Sequence, residues 1–359
     1  MRPIVYAHRG ASAAFPEHTR AAYVQALLDG ADGVECDVHL SRDGHLVLHH
    51  DAQLGRTSDG RGPVSARTLA ELRRLDWTSW KGTRIPPGHG APDRQLLTLP
   101  ELLELLRDAG RPVGLAVETK HPSPFGHRLE EEVLGLLMRE GWDPETGRLE
   151  NVTVSLMSFH PDAVRHFLET VPARHVCQLV GTTTRGTVRE SLRVGPAAAA
   201  VLHAGLRLVV PPALPVISAG LVDLVGPGLG FVRDRPELVR QWRAEDRVLR
   251  VWTVDTERDV DLCRALGVQQ LTTNRPADVL RWTAAPAAAP AAAPAAVPAA
   301  VPAGVARAVP AGSPGGLPPV LPPRLPIGGR TGAGAGARTG APAPVAAAGR
   351  SRSAAATAG

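Results

Sequence analysis

Eight short apolar or β-branched runs alternate with amphipathic stretches along the first 283 residues, and this alternation limits the chain to very few folds. The runs fall at residues 4–7, 33–40, 113–117, 152–156, 175–180, 221–225, 248–254 and 270–273. The amphipathic stretches fall at 19–29, 99–109, 129–140, 161–170, 236–244 and 259–266, several closed by Gly as a helix C-cap would be. Runs of this length bounded by turn residues read as strands, and strands alternating with helices lie parallel, joined by right-handed crossovers. Eight such units predict a (β/α)8 TIM-type barrel, an α/β fold that occupies about 250 residues. One stretch breaks the rhythm. Residues 41–98 carry a strand-like 46–49 and a helical 66–75, and are expected to form a small insertion at the top of the barrel after the second strand.

Beyond residue 283 the composition changes. Residues 284–359 are nearly all Ala, Pro, Gly, Val and Arg, with 14 of the 34 prolines, no aromatic residue and no Asp or Glu. Pro at nearly every fourth position also keeps the Ala-rich part from forming a helix. The expected organisation is therefore a barrel over 1–283 and a disordered tail over 284–359. Six of the 40 basic residues lie in that tail, which leaves 34 basic and 35 acidic residues in the part that folds. The net charge of +5 thus describes the tail, and no basic stripe remains to favour nucleic acid. Six arginines without an acid would attract anionic partners weakly. Their spread over 46 residues favours a solvated appendage with no partner.

Cys36, Cys177 and Cys263 are widely spaced and odd in number, so neither a disulfide framework nor a paired-cysteine metal site is expected. The start, MRPIVYAHRG, leaves no room for a secretory apolar region, and a cytoplasmic location is expected. The longest apolar stretch, 197–232, is broken by Arg207 and four prolines and lacks the ~20 uninterrupted residues of a spanning helix.

The chemistry is concentrated in the first third. In GVECDVHL, Glu35 and Asp37 stand two apart on a strand, so both face one side and Cys36 the other. Glu118 ends the third strand and adds a third carboxylate. Three hard oxygens facing a barrel interior call for positive charge, and a divalent Mg²⁺ or Ca²⁺ suits them better than Zn²⁺. Each carboxylate taken alone is equally well explained by an Arg partner. His8 and Arg9 directly follow the first strand, where barrel active sites are built. His50 and Asp51 follow the short run in the insertion. Strand alternation lets only one of His49 and His50 face inward, and His39 shares the parity of Glu35 and Asp37. Two histidines beside a metal-bound phosphate suit proton transfer at neutral pH, while Arg9 and Lys120 offer it positive charge.

The strings AHRGASAAFPEHT, GVECDVHLSRDGHLVLHHDAQLGRTSDG, AVETK, SFHPDAV, VWTVD and LGVQQLTTNRP, in that order, resemble the glycerophosphodiester phosphodiesterase family from residue 4 to about 281. The resemblance implies a metal-dependent (β/α)8 enzyme, a phosphoric diester hydrolase releasing sn-glycerol 3-phosphate and an alcohol from a small glycerophosphodiester. It assigns His8 and His50 to acid/base catalysis, Glu35, Asp37 and Glu118 to the metal, and Arg9, Lys120, Glu17 and Trp252 to the substrate. His18 stands where the family has the Asn of PENT, a change that bears on the cap of the first helix and on any supporting bond that Asn makes. Asp255 stands for the Asn of WTVN, and QQLTTN replaces the commoner GVDGIITD. The same barrel acting on a lysophospholipid or phosphoinositide is the alternative, and it would need an apolar rim such as 206–229. A non-catalytic phosphodiester binder is disfavoured, since a binder needs no acid and base together.

Overall fold

The computed structural model describes residues 2–181, 195–209 and 213–284, the second segment as backbone alone after Leu202. The tail lies outside the described residues, as does part of the expected apolar rim. Eight parallel strands close into a barrel. They are β1 (Ile4–His8), β2 (Gly33–Leu40), β4 (Val113–Thr119), β6 (Val152–Ser158), β7 (Val176–Val180), β8 (Leu224–Pro227), β9 (Val248–Val251) and β10 (Gln270–Thr273). Neighbours pair in sequence order, and β1 pairs with both β2 and β10, which closes the ring. Two strands lie outside it: β3 (Leu46–Leu48) runs antiparallel to β2, and β5 (Arg148–Leu149) antiparallel to β6.

Alternation along the strands decides what the barrel contains. Val5, Ala7, Val34, Cys36, Val38, Leu115, Val117, Val154 and Leu156 face outward into the main apolar core beneath the helices. Tyr6, Ala116, Met157, Cys177, Leu179 and Leu224 face inward as a smaller apolar cluster. Strands buried on both sides explain why β2 and β7 show no exposed residue. The helices named α1 (Arg20–Leu28), α2 (Leu69–Leu72), α3 (Leu99–Arg107), α4 (Arg128–Arg139) and α5 (Pro161–Leu168) cover β1 to β6 together with the insertion. Four further helices, Pro196–Val209, Leu214–Ser218, Leu229–Asp234 and Pro276–Ala284, were not expected from periodicity. Three of them carry Pro in the first turn, where its missing N–H costs nothing, and one of these, Pro215, had read as a break in the apolar stretch.

Other expectations shift in detail. The sixth strand lies at Leu224–Pro227, later than 221–225. The helix expected at 66–75 is a 3-10 turn, Val64–Ala66, followed by α2, because Thr68 and Glu71 form a capping box that fixes the start at Leu69. The insertion has its own small core of Val47, Leu54, Val64, Leu72, Trp77 and Leu96. The three cysteines are buried and unpaired. Among the described residues no helix is long and apolar enough to cross a membrane.

Toward the N-terminal end the barrel is plugged by Tyr6. Its ring packs where side chains at Gly33 and Gly114 would stand, since a Cβ there would lie 2.6 and 2.7 Å from Tyr6 atoms. Arg250 covers the ring at 4.3 Å. Its guanidinium is buried without a carboxylate within ion-pair distance among the described residues, and donates to Gln270 Oε1 at 2.8 Å and Ser155 Oγ at 3.0 Å. Gly114→Ala is expected to cost about 1–3 kcal/mol of stability by overpacking this plug while removing no site atom. Urea unfolding checks it, and an unchanged midpoint would show that the plug is not tightly packed.

Candidate active site

The strand register sets the acidic cluster. His8 is opposite Glu35 across the β1–β2 pair, and Asp37 is opposite Glu118 across the β2–β4 pair. Glu35, Asp37 and Glu118 are buried, each with a carboxylate oxygen within 4.8 Å of the others. Burial and then the charge of Asp37 push the Glu35 carboxyl well above its ordinary range. Burial, opposed by Lys120, pushes Glu118 up to about 7. Asp37 is instead held well below the ordinary range by Lys120 and Arg9, which outweigh its burial.

Lys120 Nζ lies 2.8 Å from Glu118 Oε1 and 3.4 Å from Asp37 Oδ1. Arg9 Nε lies 2.9 Å from Asp37 Oδ2, but its N–H is not aimed at that oxygen, so this is an ion pair rather than a directed hydrogen bond. Asp37 Oδ1 is buried with no hydrogen-bond donor. A buried carboxylate oxygen left unbonded in a cluster of three acids fits a hard divalent cation.

His18, the residue that departs from the PENT pattern, supports Asp37. Its Nε2 is 2.9 Å from Asp37 Oδ2 and its Nδ1 is 2.9 Å from the Tyr23 hydroxyl. Because an ionised carboxylate only accepts, His18 carries a proton on Nε2, while the Tyr23 hydroxyl that meets Nδ1 also lies 3.2 Å from Glu35 O. The cap of α1 does not depend on position 18, since the Thr19 hydroxyl accepts from Ala22 N.

A cavity of about 140 Å³ opens above the cluster, lined by His8, Arg9, Glu35, His50, Glu118, Lys120, Arg250 and an apolar wall that includes Phe159 and Trp252. Trp252 is fixed by its indole N–H, which donates to Gly226 O at 2.9 Å, and by edge contact with Phe159. His50 lines the cavity and His49 does not, and both lie just past β3, which ends at Leu48. His49 bonds Asp51 O and Thr57 Oγ1 and packs against Trp77 in the insertion. His39 does not line this cavity; its Nε2 meets His50 O at 3.2 Å and steadies that backbone. Glu17 does not line the cavity either. It holds Arg9 at 2.9 Å and Arg56 at 2.7 Å.

Three participants escaped the sequence reading. Arg56, in the insertion, ties Glu17 to Asp51, and Asp51 Oδ1 is 2.6 Å from His50 Nδ1. Asn274, just past β10, puts Oδ1 2.8 Å from His8 Nδ1. Arg250 joins the floor. The only signal for Asn274 was its departure from the family's last-strand pattern.

The family model for the Glycerophosphoryl diester phosphodiesterase family matches residues 8–278. The chain belongs to this family. It is therefore a phosphoric diester hydrolase. It is 41% identical over 281 residues, covering 78% of this chain and 92% of the relative, to a probable glycerophosphodiester phosphodiesterase 1 of Mycobacterium tuberculosis. It is 29% identical over 278 residues, covering 77% of this chain and 84% of the other, to a glycerophosphodiester phosphodiesterase of Bacillus subtilis. The fold is that of an Oleispira antarctica phosphodiesterase solved in complex with the product sn-glycerol-3-phosphate, at a TM-score of 0.60 and 21% identity over 79% of this chain and 98% of that one.

The buried imidazoles make the metal-free protein acid-sensitive. Burial is the largest cause in each case, holding His8 and His39 down to about 3, His49 and His50 down to about 4, and His18 below its ordinary value. The unfolded chain protonates each of them near pH 6.5 and the folded chain only at lower pH. Their stability contribution is thus full above that pH and declines as pH falls toward 4. Raised Glu35 and Glu118 act in the opposite sense, but two carboxylates oppose five imidazoles. In EDTA, the urea midpoint is expected to be lower at about pH 5 than at about pH 7.5; the reverse order would show that the acid cluster dominates.

Proposed function

We propose that the chain hydrolyses a glycerophosphodiester to sn-glycerol 3-phosphate and an alcohol, with His8 as general base and His50 as general acid. The observation that carries this reading is the single small cavity shared by both histidines, Glu35, Glu118, Arg9 and Lys120. Arg9 and Lys120 beside the two histidines place the phosphodiester within it, the chemistry a glycerophosphodiester presents. Glu35, Asp37 and Glu118 are the residues that hold Mg²⁺ or Ca²⁺. Bound there, the cation supplies Lewis-acid polarisation of a phosphoryl oxygen.

The chain's own residues do the rest. Arg9, kept in place by Glu17, and Lys120 set positive charge against the phosphodiester, and Trp252 and Phe159 give the glycerol backbone an apolar wall. His8 removes the proton from the nucleophile, which is either water, giving glycerol 3-phosphate directly, or the substrate's own 2-hydroxyl, giving a cyclic phosphate that water then opens. His50 donates to the leaving alcohol. The partners of the two rings support this division: Nδ1 of His8 faces an amide oxygen, whereas Nδ1 of His50 faces the Asp51 carboxylate, which favours the protonated ring. Burial, and after it the charges of Lys120 and Arg9, oppose that protonation in the free protein. An anionic substrate between them offsets their charge.

His8→Ala and His50→Ala are each expected to lower kcat by about 10² to 10⁴ in an assay of glycerol 3-phosphate release from glycerophosphocholine. EDTA should abolish turnover and added Mg²⁺ or Ca²⁺ restore it. Near wild-type rates in either variant, or in EDTA, would overturn the reading. Because bound phosphodiester favours protonated His50, the alkaline limb of kcat should lie at higher pH than that of kcat/KM. We also read the barrel as self-sufficient. Removing residues 285–359, which spares the last helix and buried Thr283, should leave kcat/KM within about threefold.

A further inference from the structure

We infer that Asp255 and Asn274 form a positioning pair that fixes His8 in the tautomer able to accept a proton. The inference rests on the reading of His8 as the base. Asp255 follows β9 and Asn274 follows β10, neighbouring strands at the seam where β1 closes the barrel. Asp255 Oδ1 accepts from the Asn274 backbone N–H at 2.8 Å and from the Thr273 hydroxyl at 2.9 Å. Its Oδ2 lies 2.6 Å from Asn274 Nδ2. A carboxylate engaged in this way only accepts, so the amide must present its NH₂ to Asp255 and its oxygen to the other side.

That other side is His8. An amide oxygen cannot donate, so the proton of the neutral ring lies on Nδ1, 2.8 Å from Asn274 Oδ1. Nε2 is then bare, and it is the nitrogen turned toward Glu35, at 4.0 Å. The Ser12 hydroxyl, within 2.7 Å of His8 O and 2.8 Å of Asn274 Oδ1, spans the same two residues and limits swivelling of the amide. Asp255 touches nothing in the cavity, yet it determines which way the amide faces and so which nitrogen of His8 can act as base. The two departures from the family pattern are reciprocal: the carboxylate and the amide have exchanged places.

The exchange supplies the test. In Asp255→Asn the side chain at 255 no longer obliges Asn274 to offer its NH₂ in that direction, and the amide can turn its own donors toward His8 Nδ1. The expected results are a shift of the His8 ring to the Nε2–H form in two-bond ¹H–¹⁵N spectra, a fall in kcat of about 10- to 100-fold, and a KM within about threefold. Asp255→Asn combined with Asn274→Asp restores an acceptor facing His8, because an amide at position 255 can accept from the backbone N–H of position 274 and donate to a carboxylate there. The double variant should bring back the Nδ1–H form and most of kcat. The wild-type spectrum alone overturns the inference if His8 carries its proton on Nε2. It is also overturned if Asp255→Asn keeps both tautomer and kcat, or if the folded double variant is as slow as the single one. Near wild-type turnover of His8→Ala instead sinks the base assignment, whatever the tautomer.

Discussion

Three carboxylates buried within 4.8 Å of one another are the constraint that the remainder of the barrel mouth answers. Left alone they would repel, and burial would drive them neutral. The connected network contains five acids, Glu17, Glu35, Asp37, Asp51 and Glu118, and three permanent cations, Arg9, Arg56 and Lys120. The imbalance of two negative charges equals the charge of one divalent cation. Without it the deficit falls on Glu35 and Glu118, whose carboxyls are the ones displaced upward. Arg250, set nearer the barrel's N-terminal end beside Tyr6, adds one further positive charge. What a phosphodiester would meet is set by position rather than by the sum, because Arg9, Lys120 and Arg250 all line the cavity.

The fold was legible because its signal is periodic. Two-sided burial leaves apolar runs such as 33–40 and 152–156, and little else in a chain produces eight of them between amphipathic segments. Strand ends were less legible. In LVDLVGP the apolar residues begin before the strand does, and only pairing with β7 and β9 places it at Leu224–Pro227. Pro215, read as an interruption of the apolar stretch, in fact sits in the first turn of the helix Leu214–Ser218.

For the site, the residues that can be read are those whose chemistry is declared by spacing on one strand. Glu35 and Asp37 announce a shared face. Arg250 does not, because an Arg inside VLRV looks like a surface residue of a strand. Its interior position depends on Gln270 and Ser155, residues from two other strands. Arg56 belongs to a loop with no periodicity at all. His18 was visible only as a departure, and its bond to Asp37 requires coordinates to see.

Asn274 is the extreme case, since 266 residues separate it from His8. Their contact exists only because the last strand hydrogen-bonds to the first. Glu35 reaches His8 from the other side of the same strand. The proposed base is therefore flanked by both neighbours of β1, and the Asn274 side cannot act before the ring is closed. Closure of a barrel from ends this far apart in sequence bears the largest loop entropy in the fold. Placing the base at that seam makes the correct tautomer a property of the finished barrel rather than of any part of it.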